Sequence, residues 1–287
     1  VSRDDYEQRI HRVTDHVRRN LEADLSVESL AKVAHFSPYH FHRIFRSIAG
    51  ETVLSYVRRS RLERAVSLMR AAPHRSLTSV ALEVGFATPS DFSRVFRSVY
   101  GCAPSSWDRR SRLDGQRDFT TDLERLPADT APRSVEVVDR PACTLAYVRV
   151  QNPWTGPHLA EGYAALVAHL EAIGAPWREG SLVGLSWDNE LATPLDRLTY
   201  DLGISVPADL AIGEPFGRHE LPAVTAVEIA CSGLPAIALA WEYLYNEWLP
   251  ASGREPGEVP ALKRFARTPD AFGPDCWDVH CSIALRS

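Results

Sequence analysis

The chain has 287 residues, 45% of them hydrophobic and 24% charged, which is the balance of a folded protein of about two domains and excludes a disordered one. Its longest apolar run, Ile229 to Trp241, is broken by Gly233 and Pro235 and is too short to cross a bilayer. The formal charge of −5 hides an asymmetry: residues 1–117 hold 20 Lys and Arg against 13 Asp and Glu, whereas the remainder holds 12 against 24. A basic first part is expected to meet a polyanion, and an acidic second part is not.

The polar start, Val1-Ser2-Arg3-Asp4-Asp5, lacks the apolar core of a signal peptide, so a cytoplasmic protein is expected. The first element is an amphipathic helix over Tyr6–Leu21, because Ile10, Val13, Val17 and Leu21 recur at steps of three and four. Ser26 starts a short second helix ahead of Leu30 and Ala31. Ser37-Pro38 is a stronger start, a capping serine followed by proline at the first helical position. The helix it opens turns Phe41, Ile44 and Phe45 inward and leaves Tyr39, His42, Arg43 and Arg46 outside. His40 and His42, two apart on a helix, point different ways and make no metal pair. A long helix follows from about Thr52 to Arg70, with Val53, Val57, Leu62, Val66 and Met69 as packing positions and Pro73-His74 as its end.

The arrangement then repeats. Phe41-His42-Arg43-Ile44-Phe45-Arg46-Ser47 is echoed 51 residues later by Phe92-Ser93-Arg94-Val95-Phe96-Arg97-Ser98. Leu30-Ala31 returns as Val80-Ala81, Ser37-Pro38 as Thr88-Pro89, and the helix-closing Gly50 as Gly101. Phe45, Phe96 and Trp107 are core positions. Two helices joined by a tight turn, the second with a basic outer face, are what fits a major groove, and arginine suits bidentate contact with guanine. Arg43 and Arg94 occupy the same place in the two repeats. The helix between the repeats spans roughly 28 Å, of the order of the roughly 34 Å between successive major grooves on one face of a duplex.

Residues 1–110 resemble the DNA-binding domain of the AraC/XylS family. The first unit matches through Leu30-Ala31, Phe36-Ser37-Pro38, Phe41, Arg43, Phe45 and Gly50. The second matches through Val80-Ala81, Gly85-Phe86, Phe92, Arg94, Phe96-Arg97, Gly101 and Pro104. The resemblance implies base contacts at Tyr39, His42 and Arg43 and at Ser90, Asp91 and Arg94, with Arg46 and Arg97 completing the DNA-binding set. Arg58, Arg59, Arg109, Arg110 and Arg112 are candidates for phosphate contact. His35 stands where the family has glycine in the turn, and Asp91 is an unusual neighbour for DNA unless it meets a cytosine amino group or caps its helix.

A DNA-binding domain over 1–112 is thus followed by a polar linker over 113–132 and a second domain over 133–287, in which the apolar period changes. Strands are expected at Ser134–Val138, Cys143–Val150, Leu182–Trp187, Tyr200–Val206, Ala223–Cys231 and Trp277–Leu285, with helices at Leu159–Ile173 and Pro235–Leu249. The whole reads as an all-α tandem helix-turn-helix domain followed by an α+β domain, a duplicated α/β unit on an antiparallel sheet with two helices.

The second half resembles the GyrI-like effector-binding domain of Rob-like regulators. The likeness is carried by Tyr200-Asp201-Leu202-Gly203-Ile204, Leu221-Pro222-Ala223, Gly233, Trp241, Leu244-Tyr245, Trp248-Leu249-Pro250, Ser252-Gly253 and Pro260-Ala261-Leu262. It implies a groove for flat, mostly apolar molecules, often cationic. Six of the seven tryptophans lie in this half, and Trp187, Glu228, Trp241, Tyr245, Lys263 and His280 are the candidate ligand-binding residues. Lys263-Arg264 replaces the acid that the family pattern carries there, which points to a planar aromatic effector that is neutral or anionic, unless Glu228 or Asp278 restores the negative charge.

The expected partners are double-stranded DNA, read in the major groove at two adjacent sites, a small-molecule effector and RNA polymerase. No membrane, metal, cofactor or catalytic residue is expected. The scattered Cys102, Cys143, Cys231, Cys276 and Cys281 form neither a zinc motif nor a disulfide framework. The competing reading is a GyrI-like hydrolase or a drug-sequestering domain fused to a DNA-binding module.

Overall fold

A computed structural model describes residues 3–108, 134–154, 156–188, 193, 197–273 and 276–286. The chain divides into two compact units, Val1–Asp114 with Asp188–Arg197, and Gly115–Trp187 with Leu198–Ser287. The expected linker over 113–132 lies outside the described residues.

The first unit is helical: α1 (Arg3–Arg19), α2 (Val27–Val33), α3 (Pro38–Ala49), α4 (Val53–Ala71), α5 (Leu77–Glu83) and α6 (Pro89–Tyr100), then a 3-10 turn at Pro104–Ser106. The starts of α2 to α6 are each fixed by a side-chain oxygen that accepts an otherwise unsatisfied backbone N–H. Ser26 accepts from Ser29, Ser37 from His40, Thr52 from Ser55, Ser76 from Ser79 and Thr88 from Asp91. Both α3 and α6 end on a left-handed glycine, Gly50 and Gly101, whose N–H groups return to Arg46 O and Arg97 O.

Two cores form, one per repeat, and α4 is shared between them. Val53, Tyr56 and Val57 from its first turns close a core with Ile10, Val13, Val17, Leu30, Phe41 and Phe45. Leu62, Ala65, Val66, Leu68 and Met69 close a second with Val80, Phe86, Phe92, Phe96 and Trp107. The five packing positions read from the α4 sequence are all buried. Truncating a core phenylalanine such as Phe45 or Phe96 would cost about 3–5 kcal/mol.

The turns of the two repeats meet the same backbone demand differently. His35 and Gly85 both have positive φ, 54° and 89°. A Cβ at Gly85 would fall on the Leu21 carbonyl oxygen and within 2.9 Å of the Arg61 guanidinium. Arg61 itself donates to Leu21 O (2.9 Å) and Ala23 O (3.2 Å), clasping the α1–α2 turn to α4. Glycine is therefore required at 85 by both torsion and space.

Arg59 departs from its expected role at DNA phosphate. Its guanidinium donates to Glu51 (3.0 and 2.9 Å) and Glu63 (2.8 Å) and lies 3.6 Å from Asp188. An arginine engaged in a largely buried ion network is unavailable to a polyanion outside. Burial pushes the Glu63 carboxyl up against the opposing pull of Arg59.

Among the described residues, the second unit is one antiparallel sheet of eight strands carrying two helices. The strands are β1 (Val135–Arg140), β2 (Cys143–Gln151), β3 (Leu182–Ser186), β4 (Thr199–Val206), β5 (Gly217–Leu221), β6 (Val224–Ser232), β7 (Ala261–Phe265) and β8 (Asp278–Ala284). The helices are α7 (His158–Ala172) and α8 (Leu234–Tyr243), the latter continuing through a π-helical turn at Leu244–Trp248 to Leu249–Ser252. The sheet order is β1-β6-β8-β7-β3-β4-β2-β5. The six strands expected from sequence are present, and β5 and β7 are additional.

The order exposes the duplication. β2-α7-β3-β4 and β6-α8-β7-β8 are equivalent, joined where β3 pairs with β7, but the strand leading into each pairs with the other unit: β1 with β6, and β5 with β2. Pro141-Ala142 and Pro222-Ala223 separate each leading strand from the next. Proline supplies no N–H for a ladder and so interrupts the strand at this crossing.

Candidate nucleic-acid interface and candidate effector site

In the first unit α3 and α6 each bury one apolar stripe and present the opposite face to solvent. On α3 Phe41 and Phe45 are buried, while Tyr39, His42, Arg43 and Arg46 are exposed, Tyr39 at 70%. On α6 Phe92, Val95 and Phe96 are buried, while Ser90, Arg94 and Arg97 are exposed and Asp91 is half-buried. All eight positions expected at DNA thus lie on the outward sides of two helices whose inner sides are locked to the ends of α4. The Arg43 guanidinium sits 5.9 Å from the Tyr39 ring centroid, a cation–π contact that leaves its fork outward. Arg94 is ion-paired to Asp91 one turn earlier, so its charge is partly neutralised until a base or phosphate competes for it. Arg58 is exposed; Arg109, Arg110 and Arg112 lie outside the described residues.

In the second unit the register sorts the candidate ligand residues by face, because side chains alternate along a strand. Gly184 opposes Lys263 and Leu202, Tyr200 opposes Val150, and Ser186 opposes Ala261, so these residues share one face. Helix α7 packs there, its Gly162 close against Val148 and Val150. Trp241 of α8 reaches the same face, since the Lys263 ammonium lies 5.6 Å from its ring. Lys263 Nζ is also 5.4 Å from the Trp154 ring and 5.0 Å from the Tyr200 ring, and donates to Ser186 Oγ at 3.2 Å. Gly184 makes the arrangement possible: a Cβ at this position would fall on the Tyr200 hydroxyl. Tyr245, one turn after Trp241, has its ring centroid 6.5 Å away from that indole.

The other three candidates, Trp187, Glu228 and His280, lie on the opposite face, so the six expected ligand residues are not brought together at one site. Glu228 pairs in register with Ser282, and His280 with Arg264. Glu228 accepts two N–H groups of Arg140 and lies 3.5 Å from Arg264 and 3.6 Å from His280. Burial pushes its carboxyl up, but the Arg140 and Ser282 hydrogen bonds outweigh this and hold it below the usual range. It therefore does not restore a negative charge beside Lys263. Trp187 donates its indole N–H to Asp201 (2.9 Å). Asp201 also accepts from Arg149 (2.6 and 2.6 Å) and His219 (2.8 Å), and His219 stacks on Tyr147 at 3.9 Å. Arg149, Asp201 and His219 are almost wholly buried, so this is an internal network rather than an exposed site.

Sequence reasoning missed Trp154, Tyr200 and Ser186 as neighbours of Lys263. The usable signal was Gly184, a glycine inside a strand, which marks a close approach by another group.

Comparison with known proteins yields two family matches, a helix-turn-helix domain over residues 30–110 and a GyrI-like small molecule binding domain over residues 133–286, the second spanning more than half of the chain. The uncharacterised HTH-type transcriptional regulator YbfP of Bacillus subtilis (strain 168) is 31% identical over 102 residues, 36% of this chain and 34% of its own. The XylDLEGF operon transcriptional activator of Pseudomonas putida is 34% identical over 105 residues, 36% of this chain and 33% of its own. Among solved structures, the EcmrR C-terminal domain is similar at 15% identity and a TM-score of 0.43, over 53% of this chain and 97% of that one. The chain spans about a third of the length of the two curated relatives named here.

Proposed function

Because the chain belongs to the GyrI-like small-molecule-binding family and carries a helix-turn-helix domain of AraC type ahead of that module, we propose that it is a DNA-binding transcription regulator governed by a small effector. The observation that carries this is the doubled outward face, with Arg43 and Arg94 exposed at equivalent positions of two helices braced by one shared helix. Tyr39, His42, Arg43 and Arg46 read one major-groove segment, and Ser90, Asp91, Arg94 and Arg97 read the next. The effector is planar and neutral or anionic, and meets the face that carries Trp241, Tyr245 and Lys263. The protein works in the cytoplasm by binding, without catalysis, and addresses RNA polymerase at the promoters it occupies.

The test is a mobility-shift series on a selected duplex and on random DNA. Arg43→Ala and Arg94→Ala should each cost about 1–3 kcal/mol on the selected site and little on random DNA. Arg58→Ala, at a phosphate, should weaken both equally, and all binding should fall steeply with salt as counterions are released. Identical behaviour of the three variants on both duplexes would reject the assignment of base readers.

A further inference from the structure

The aromatic surface around Lys263 is built like a receptor for an organic cation. Three rings lie 5.0 to 5.6 Å from one ammonium nitrogen, inside the ~6 Å over which a ring face attracts a cation. Such cages are how proteins hold ammonium ligands. Here the ammonium belongs to the chain. Lys263 is 1% exposed, a rare condition for a lysine, and stands on β7 at the centre of the sheet. Tyr200 forms the buried wall of the cage, whereas Trp154 and Trp241 are only half-buried, so the cage has a side toward solvent.

We infer that Lys263 is a tethered cation occupying an aromatic cage that would otherwise accept a ligand's ammonium group. The domain therefore refuses cationic ligands because that place is filled, and a second positive charge brought against the rim meets like charge at short range. This deepens the effector reading above and rests on it for its biological meaning. The structural statement itself, an occupied cation cage, stands or falls separately.

The composition provides a direct test, since the chain has two lysines, Lys32, which is exposed, and Lys263. Acetylation of the folded full-length chain with an N-hydroxysuccinimide ester, read by peptide mass spectrometry, should modify Lys32 at least about tenfold faster than Lys263. Trp241→Ala should accelerate Lys263 selectively. Equal rates in the unaltered folded chain would overturn the inference.

The complementary arm uses Lys263→Ala, which removes the equivalent of n-propylammonium beyond Cβ. This variant should bind n-propylammonium at least about tenfold tighter than 1-propanol, read by tryptophan fluorescence, while the unaltered chain and Lys263→Met bind neither. Binding of n-propylammonium by the unaltered chain, or its failure to bind a folded Lys263→Ala, would overturn the inference. Should Lys263→Ala not fold, the labelling arm decides alone. Failure of planar neutral and anionic compounds to bind would remove the effector reading and leave both arms unchanged.

Discussion

Replacing Gly85 by alanine isolates one methyl group whose consequences can be followed through the first unit. Gly85 has φ +89°, a left-handed conformation that costs an L-residue about 1–2 kcal/mol. The new Cβ would also fall on the Leu21 carbonyl oxygen and press on the Arg61 guanidinium. Relief requires the α5–α6 turn to retreat from the α1–α2 turn, opening the Arg61 hydrogen bonds to Leu21 O and Ala23 O. A hydrogen bond to a charged group contributes about 1.5–3 kcal/mol, so losing one of them together with the strain amounts to about 2.5–5 kcal/mol. That is a large part of a domain stability of about 5–15 kcal/mol. Denaturant unfolding monitored by far-UV circular dichroism should show the loss, and the selected duplex should be bound more weakly by whatever folded protein remains. His35→Gly, at the equivalent turn of the first repeat, has the opposite logic: it relieves a φ of 54° while adding freedom to the unfolded chain, and should change stability by less than about 1 kcal/mol. A Gly85→Ala protein within about 1 kcal/mol of the parent would refute the steric argument.

Two further substitutions test the networks at each unit. Asp91→Ala should strengthen binding to random DNA, because it frees the exposed Arg94 from its ion pair and removes a negative charge from the α6 surface; unchanged or weaker binding would show that Asp91 itself contacts DNA. Asp201→Asn should cost about 3–5 kcal/mol, since Arg149 loses the carboxylate that takes two of its N–H groups, and Asp201→Asn with Arg149→Met should cost less than the single change. Burial pushes the Asp201 carboxyl up, but Arg149 and His219 outweigh it and hold it well below the usual carboxylate range. A depressed value means that the unfolded chain binds the proton first, so this contribution is full above about pH 5 and is lost as pH falls toward the folded value. Thermal unfolding between pH 7 and pH 3 should show a shallower acid loss for Asp201→Asn than for the parent, and parallel curves would sink the assignment.

The helical unit was legible because its signals are local. A cap such as Ser37-Pro38 fixes a helix start within four residues, and the repeat of Phe92-Ser93-Arg94 on Phe41-His42-Arg43 fixes which side faces out. Arg59 escaped because its partners Glu51, Glu63 and Asp188 are gathered by tertiary structure, so an arginine in a basic helix looked like its exposed neighbour Arg58. In the second unit six of the eight strands declare themselves in the sequence, but their faces do not. Chemistry alone groups Glu228 with Lys263, whereas register sends Glu228 to the face of Ser282 and Lys263 to the face of Gly184. A one-residue difference in phase between distant strands decides such a matter. The short β5 and β7 were hidden for a related reason: Arg218, His219, Glu220, Lys263 and Arg264 break the apolar alternation, and their strand conformation follows from pairing with neighbours.

The exchange of leading strands has a consequence for synthesis. β1 leaves the ribosome first of all the strands, yet its ladder joins Val135 to Ile229, so its partner emerges only after some ninety further residues. The half built from β2, α7, β3 and β4 must likewise wait for β5 to cover its margin, and for β7 to meet β3. Until then a nascent chain carries uncovered strand edges, the feature most prone to pair with a neighbour on the same polysome. Pairings this distant in sequence predict that the second unit folds more slowly than the helical first unit, whose contacts are largely local.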